Sequence, residues 1–164
     1  MKINIRHSEP FDCIAIKELY QQPSCYAGTL QLPHPSVTQW EKRLSNQANN
    51  NYSLVAILDN NIVGQIGMQV NTSPRRKHVA NFGMGVCEKH RNKGIGSILL
   101  KEIISLANKW LAVTRIELEV YCDNKTAIAM YEKHGFVKEG IAREYAFRDG
   151  KLVDVILMAK IGFS

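Results

Sequence analysis

The 164-residue sequence lacks any C-x-x-C pair, its four cysteines, Cys13, Cys25, Cys87 and Cys122, being widely scattered. That arrangement supplies neither the ligand spacing of a zinc site nor a disulfide framework, so buried or idle thiols and no metal are expected. No stretch approaches the roughly 18 consecutive apolar residues that span a bilayer, and residues 1–7 break their apolar positions with polar ones. The expectation is a cytoplasmic protein with no membrane partner. Internal repeats and low-complexity tracts are also lacking. Positive charge is in excess, with 21 Lys and Arg against 15 Asp and Glu, a net charge of +6 and a pI near 9.2. Yet apart from Arg75-Arg76-Lys77 the basic residues are dispersed, without the stripe of a nucleic-acid binder, so no nucleic-acid partner is expected. A polyanionic cofactor accounts for part of the excess, since basic charge would draw it in electrostatically.

With 45% hydrophobic and 22% charged residues, the chain suits one globular domain, 1–164, with a sizeable core. Residues 2–6 alternate as a short strand. Ser8-Glu9-Pro10 then opens a helix running to about Tyr20. Residues 23–35 read as a turn-rich connection, and Ser36-x-x-Gln39 resembles a capping box for a helix through about Leu44. A polar loop at 46–51 follows. Strands at 53–58 and 62–70 join through Asp59-Asn60-Asn61, a hairpin signal, and a third strand covers 78–87. Ile95, Ile98, Leu99, Ile103, Leu106, Ala107 and Trp110 recur at helical spacing. Residues 115–121 alternate as a strand, Asp123 or Asn124 caps a helix carrying Tyr131, and a closing strand starts at Phe136. Asp149-Gly150 turns a last hairpin between about 142–148 and 152–160. The order is βααβββαβαββ.

Between the third strand and the long helix lies Arg91-Asn92-Lys93-Gly94-Ile95-Gly96-Ser97. Two glycines let the backbone curl with its N–H groups inward, and the helix adds the positive end of its dipole, which together suit a diphosphate. The common nucleotide loops fit poorly. Leu99 stands where a dinucleotide fingerprint needs its third glycine, and no Gly-Lys-Ser/Thr follows. Downstream, Asn124, Ala127, Tyr131, Gly135 and Phe136 form a second spaced set.

Arg91-x-x-Gly94-x-Gly96 followed by Asn124-x-x-Ala127-x-x-x-Tyr131-x-x-x-Gly135-Phe136 resembles the GNAT superfamily of acyl-CoA-dependent N-acyltransferases. The resemblance implies an α/β fold with a mixed, mostly antiparallel central sheet of about seven strands, flanked by four helices and splayed at the cofactor site. It implies acetyl-CoA as acyl donor and a small-molecule amine as acceptor, attacked directly in a ternary complex. Cofactor contacts are then expected from Arg91, Asn92, Lys93, Gly94, Ile95, Gly96 and Ser97, from backbone groups of Met84, Gly85 and Val86 on the splayed strand, and from Asn124 and Tyr131. Tyr131 matches the tyrosine that, in many members, protonates the departing thiolate.

A general base is less evident, because the strand before the cradle, Val79 to Val86, carries no carboxylate. Glu117 and Glu119 share one face of the next strand by its period of two, and Glu117 is taken as the catalytic candidate. An α-amine with a pKa near 8 needs only about 1 to 1.5 kcal/mol for deprotonation at neutral pH, against roughly 4 to 5 for a lysine side chain. That difference favours an α-amine acceptor. The chain further resembles bacterial amino-acid N-acetyltransferases in 29–36, 74–80 and 145–154, which makes Leu32, His34, Arg143, Tyr145 and Asp154 candidates for lining the acceptor cleft. A substrate carboxylate would want a cation such as Arg143 or Arg76. A protein N-terminal acetyltransferase of the ribosomal-protein type and a non-catalytic acyl-CoA-binding or nucleic-acid-associated module remain alternatives. A homodimer is compatible with the sequence.

Overall fold

The computed structural model describes residues 1–46 and 48–162. Among these residues seven strands form one mixed sheet in the order β1-β2-β3-β4-β5-β7-β6. In chain order they are β1 (Asn4–His7), β2 (Asn51–Leu58), β3 (Asn61–Val70), β4 (Val79–Val86), β5 (Arg115–Tyr121), β6 (Val137–Arg148) and β7 (Lys151–Ile161). All neighbours are antiparallel except β4 and β5. The two hairpin turns follow from their residues. Asp59 and Asn60, and Asp149 and Gly150, all take positive φ, the left-handed geometry that matches the twist of paired strands.

Among the described residues the helices are α1 (Cys13–Gln21), α2 (Pro23–Ala27), α3 (Val37–Ser45), α4 (Ile95–Trp110) and α5 (Lys125–Lys133), with single 3-10 turns at Pro10–Asp12 and Glu88–His90. The short α2 corrects the expectation of a turn-rich connection throughout 23–35. Pro23 occupies its first turn, and the Glu88 carboxylate accepts hydrogen bonds from the Ser24 backbone N–H and hydroxyl. This cap comes from a residue 64 positions away, which local patterning does not reveal. Within the polar loop at 46–51, Gln47 lies outside the described residues. At Ser36 the side chain accepts from the Gln39 N–H, the cap expected there.

Two cores sit on opposite faces of the sheet. Ile95, Leu99, Leu100, Ile103 and Ala107 of α4, with Ile128 and Tyr131 of α5, pack on one face. Ile16, Leu19 and Tyr20 of α1 pack with Trp40 and Leu44 of α3 on the other. Adjacent residues of β2 serve both sides, Ala56 the first core and Val55 the second, as strand alternation requires. Among the described residues no helix is long and apolar enough to cross a membrane.

The feature that positions the site is the short β4–β5 ladder. Only Val79, Ala80 and Asn81 pair with Arg115, Ile116 and Glu117. Beyond Asn81 the strands part, while β4 stays paired to β3 as far as Val86 and β5 to β7 as far as Tyr121.

Candidate active site

The parted strands expose backbone polar groups in a fixed pattern. The Cys87 N–H donates to Val63 O on β3, and His78 O accepts from Thr114 and Arg115 on the β5 side. Alternation along β4 therefore turns the backbone groups of Met84 and Val86 into the gap and those of Gly85 toward β3. Val86 O already accepts from the Arg91 side chain at 3.3 Å and from Cys25 Sγ at 3.4 Å. Met84 and Val86 N–H remain available there, since unpaired backbone donors need a partner from solvent or ligand.

The open side holds a groove of about 590 Å³ lined by Met84, Gly85, Val86, Arg91, Asn92, Gly94, Ile95, Gly96, Ser97, Asn124 and Tyr131, among others. Of the expected cofactor contacts, only Lys93 falls outside this lining. The two loop glycines do different things. Gly94 is the N-cap of α4 at φ 81°, with no side-chain cap, so the first N–H groups of the helix point out unsatisfied. Gly96 instead permits close packing: a Cβ there would lie 3.2 Å from Met130 Sδ and 3.3 Å from Met84 Cε. Asn124 Oδ1 accepts from the Ala127 N–H at 3.2 Å as the cap of α5, which leaves its amide NH2 for the groove.

A second cavity, about 700 Å³, lies between the sheet and the α1–α3 face. The two share Gly28, Thr29, Met84, Glu119 and Tyr131 in their walls. Thr29 is held there by its carbonyl, which accepts from Tyr121 Oη at 2.9 Å. Tyr20, Trp40, Arg43, Tyr52, Gln65 and Tyr145 line the second cavity further out. Beneath it, Tyr20 Oη donates to Gln65 Oε1 at 2.6 Å and Gln65 Nε2 donates to Ser53 Oγ at 2.9 Å. Burial pushes the Tyr20 phenol far above its ordinary value, so this chain of bonds is a neutral floor.

Tyr131 stands at the junction. Its ring packs edge-on against Phe82 and Phe136, each at 5.8 Å between centroids. Burial raises its phenol to about 12. Its hydroxyl makes no hydrogen bond among the described residues. Glu119 shares the junction, where Asn81 Nδ2 donates to its two carboxylate oxygens at 3.3 and 3.2 Å.

Glu117, two residues earlier, lies where the ladder is still closed. It accepts from Arg76 at 2.7 Å and Arg115 at 2.8 Å and lines neither cavity. Period two put both glutamates on one face, but where the strands part was not visible in the pattern. Of the acceptor-lining candidates, Tyr145 reaches the cavity, while Leu32, His34, Arg143 and Asp154 lie outside both linings. Asp154 is engaged elsewhere, accepting from the Glu144 N–H at 2.7 Å across the irregular register of β6 and β7. The wall residues missed by sequence, Thr29, Trp40 and Arg43, belong to the α2–α3 segment. Its path over the sheet is set by distant contacts such as Tyr121 to Thr29.

An uncapped helix N-terminus, a splayed sheet edge and a second cavity meeting at one tyrosine suit group transfer between two substrates, one of them carrying phosphate. The family model described as "Acetyltransferase (GNAT) family" matches residues 15–136, and the chain belongs to that family. The L-amino acid N-acetyltransferase AaaT of Escherichia coli (strain K12) is 43% identical over 160 residues, covering 98% of each chain. The crystal structure of a GNAT-family acetyltransferase from Streptococcus pneumoniae superposes with a TM-score of 0.85 at 28% identity, covering 99% of this chain and 100% of that one. A phosphinothricin acetyltransferase from Sinorhizobium meliloti, solved in complex with AcCoA, shares the fold with a TM-score of 0.88 at 20% identity, covering 99% and 89%. The present chain is thus an N-acetyltransferase, moving an acetyl group from acetyl-CoA to an amine.

Proposed function

We propose that the acceptor is the α-amino group of a free amino acid or a short peptide, and that acetyl-CoA lies in the groove with its diphosphate at the α4 N-terminus. The observation that carries this reading is the meeting of the two cavities at Tyr131 and Glu119, which allows donor and acceptor to be bound together. Similarity to an L-amino acid N-acetyltransferase over nearly the whole chain supports the acceptor class.

In this reading Gly94, Ile95, Gly96, Ser97, Asn92 and Arg91 surround the diphosphate, and Met84, Val86 and Asn124 pair with the amides of the pantetheine arm. A free β4 N–H also polarises the thioester carbonyl, a contribution of about 3 kcal/mol in comparable oxyanion holes. The amine attacks the carbonyl carbon, the C–S bond breaks, and two protons move. Glu119, rather than Glu117, receives the amine's proton directly or through one water, with Asn81 holding the carboxylate. Tyr131 gives its phenolic proton to the departing sulfur and regains one from solvent. A phenol raised to about 12 stays protonated across the working range, so its proton is present when the C–S bond breaks.

The test is acetyl-CoA-dependent release of CoA across the L-amino acids, dipeptides, polyamines and aminoglycosides, with products identified by mass. N-acetyl-amino acids are the expected products. Turnover confined to polyamines or aminoglycosides would overturn the acceptor assignment and leave the donor site untouched.

A further inference from the structure

The acceptor cavity carries a cation that the transfer chemistry does not use. Four arginines among the described residues, Arg6, Arg76, Arg115 and Arg148, are each tied to an Asp or Glu side chain. Arg43 is not. Its guanidinium lies 4.7 Å over the Trp40 ring, and one N–H donates to Gln31 Oε1 at 2.9 Å. Trp40 is itself stacked on Tyr20, with centroids 5.1 Å apart and planes 14° from parallel. An arginine held by a neutral amide and an indole face is oriented without being neutralised, and most of its five donors stay open.

The wall around it sharpens the point. Among the described residues lining the acceptor cavity, Arg43 is the cationic side chain and Glu119 the anionic one. Glu119 lies in the wall shared with the cofactor groove, whereas Arg43 lines the acceptor cavity alone. The other polar groups there, including Gln31, Asn46, Asn51, Tyr52 and Gln69, are neutral. The cavity is therefore polarised, negative where the amine must react and positive away from the thioester. Arg76, a carboxylate partner suggested by sequence, is instead occupied by Glu117, and Arg143 lies outside the cavity.

We infer that Arg43 is the carboxylate anchor of the acceptor site, so that the enzyme selects amines that also carry a carboxylate. The inference rests on the amino-acid reading of the acceptor and deepens it. The planar fork of a guanidinium pairs with a carboxylate through two parallel hydrogen bonds, and an amide or a second amine cannot replace that partner. The same chemistry serves the α-carboxylate of a free amino acid or the C-terminal carboxylate of a dipeptide.

The experiment compares wild type, Arg43→Gln and Arg43→Lys on the L-amino acids, their α-carboxamides, aminoacyl-glycines and aminoacyl-glycinamides. Wild type should prefer a carboxylate acceptor to its carboxamide. Arg43→Gln should lower kcat/KM for the carboxylate form about 10- to 100-fold, chiefly through KM, the range for a charge-assisted hydrogen bond. The carboxamide should change less than about threefold, since it makes no ion pair. Arg43→Lys should recover part of the loss, and the KM for acetyl-CoA should stay unchanged in both variants. Which pair, amino acid or aminoacyl-glycine, shows the larger effect identifies the carboxylate that is held. Equal losses on carboxylate and carboxamide, or no loss on either, would overturn the anchor while leaving amino-acid acetylation intact. Wild-type turnover of polyamines without turnover of any amino acid or dipeptide would overturn the acceptor reading and the anchor with it.

Discussion

Removing one oxygen from Tyr131 separates chemistry from architecture. Its ring belongs to an aromatic cluster with Phe82 and Phe136, and Tyr131→Phe keeps that ring. The hydroxyl has no hydrogen-bond partner among the described residues, so its loss breaks no internal bond. The variant's stability at pH 7 should stay within about 0.5 kcal/mol of wild type, because no partner is left unsatisfied. General acid assistance is typically worth 10²- to 10⁴-fold, so kcat should fall by about 10²-fold or more with little change in KM for acetyl-CoA. The assay is steady-state CoA release beside thermal unfolding. A second arm uses an acetyl thioester of a more acidic thiol, whose thiolate leaves with less need of a proton, and there the deficit should shrink. Alkaline unfolding adds an independent check. A phenol raised from 10 to about 12 binds its proton more tightly in the folded state, so its stabilisation is complete below about pH 10 and lost as pH rises toward 12. That loss, up to about 3 kcal/mol for two pKa units, should be missing from Tyr131→Phe. A variant that keeps kcat within threefold of wild type would refute the proton-donor role. So would one whose deficit is the same for both thioesters.

Glu119→Gln should reduce kcat about 10- to 100-fold at pH 7, with the deficit narrowing toward pH 9 as an α-amine with pKa near 8 deprotonates unaided. In the same pH–rate series, Glu117→Gln should act within about twofold of wild type, and its lost ion pairs should cost less than about 1 kcal/mol in denaturant melts. Gly94→Ala forces a Cβ into the left-handed region at φ 81°, and should lower stability by about 1 to 2 kcal/mol while raising the KM for acetyl-CoA. The Asp12 carboxylate, held below its ordinary pKa by two hydrogen bonds from Arg6, stabilises the fold above the unfolded carboxyl range and loses that effect as pH falls from there through its lower folded value. Asp12→Ala should therefore cost about 1 to 3 kcal/mol at pH 7 and flatten the acid limb of the stability curve.

The proposed diphosphate loop is legible in the sequence because it is contiguous. Arg91 to Ser97 supplies the turn, the N-cap and the first turn of α4, and glycine at φ 81° is a local requirement with a local signature. The strand order and the four longer helices followed from periodicity for the same reason, whereas the short α2 did not. The acceptor site is assembled otherwise. The wall takes Thr29 from the α2–α3 connection, Trp40 and Arg43 from α3 and Tyr145 from β6, and their meeting depends on links such as Tyr121 to Thr29, 92 positions apart. The Glu117 and Glu119 ambiguity has the same origin. Alternation assigns a face, but only the end of the β4–β5 ladder at Asn81 and Glu117 decides which carboxylate meets the gap.

That ladder end also explains how one sheet serves two substrates. Had β4 and β5 stayed paired to their tips, the backbone groups of Met84 and Val86 would be used in the ladder and the faces of the sheet would be sealed from each other. Parting after three pairs leaves those groups outside the ladder and lets the cavities on the α4–α5 and α1–α3 faces share a wall. Tyr131 reaches that wall from one face, and Thr29 borders it from the other. In the proposed reading donor binding is built into the sheet, whereas acceptor choice depends on what α2 and α3 hang over the opening. Substitutions in 29–44 should change which amine is acetylated while leaving acetyl-CoA affinity unchanged. Substitutions in 91–97 should weaken the donor equally for every acceptor. A set of variants in which the two effects do not separate this way, measured as KM for donor and acceptor independently, would show that the α2–α3 roof contributes to holding the cofactor.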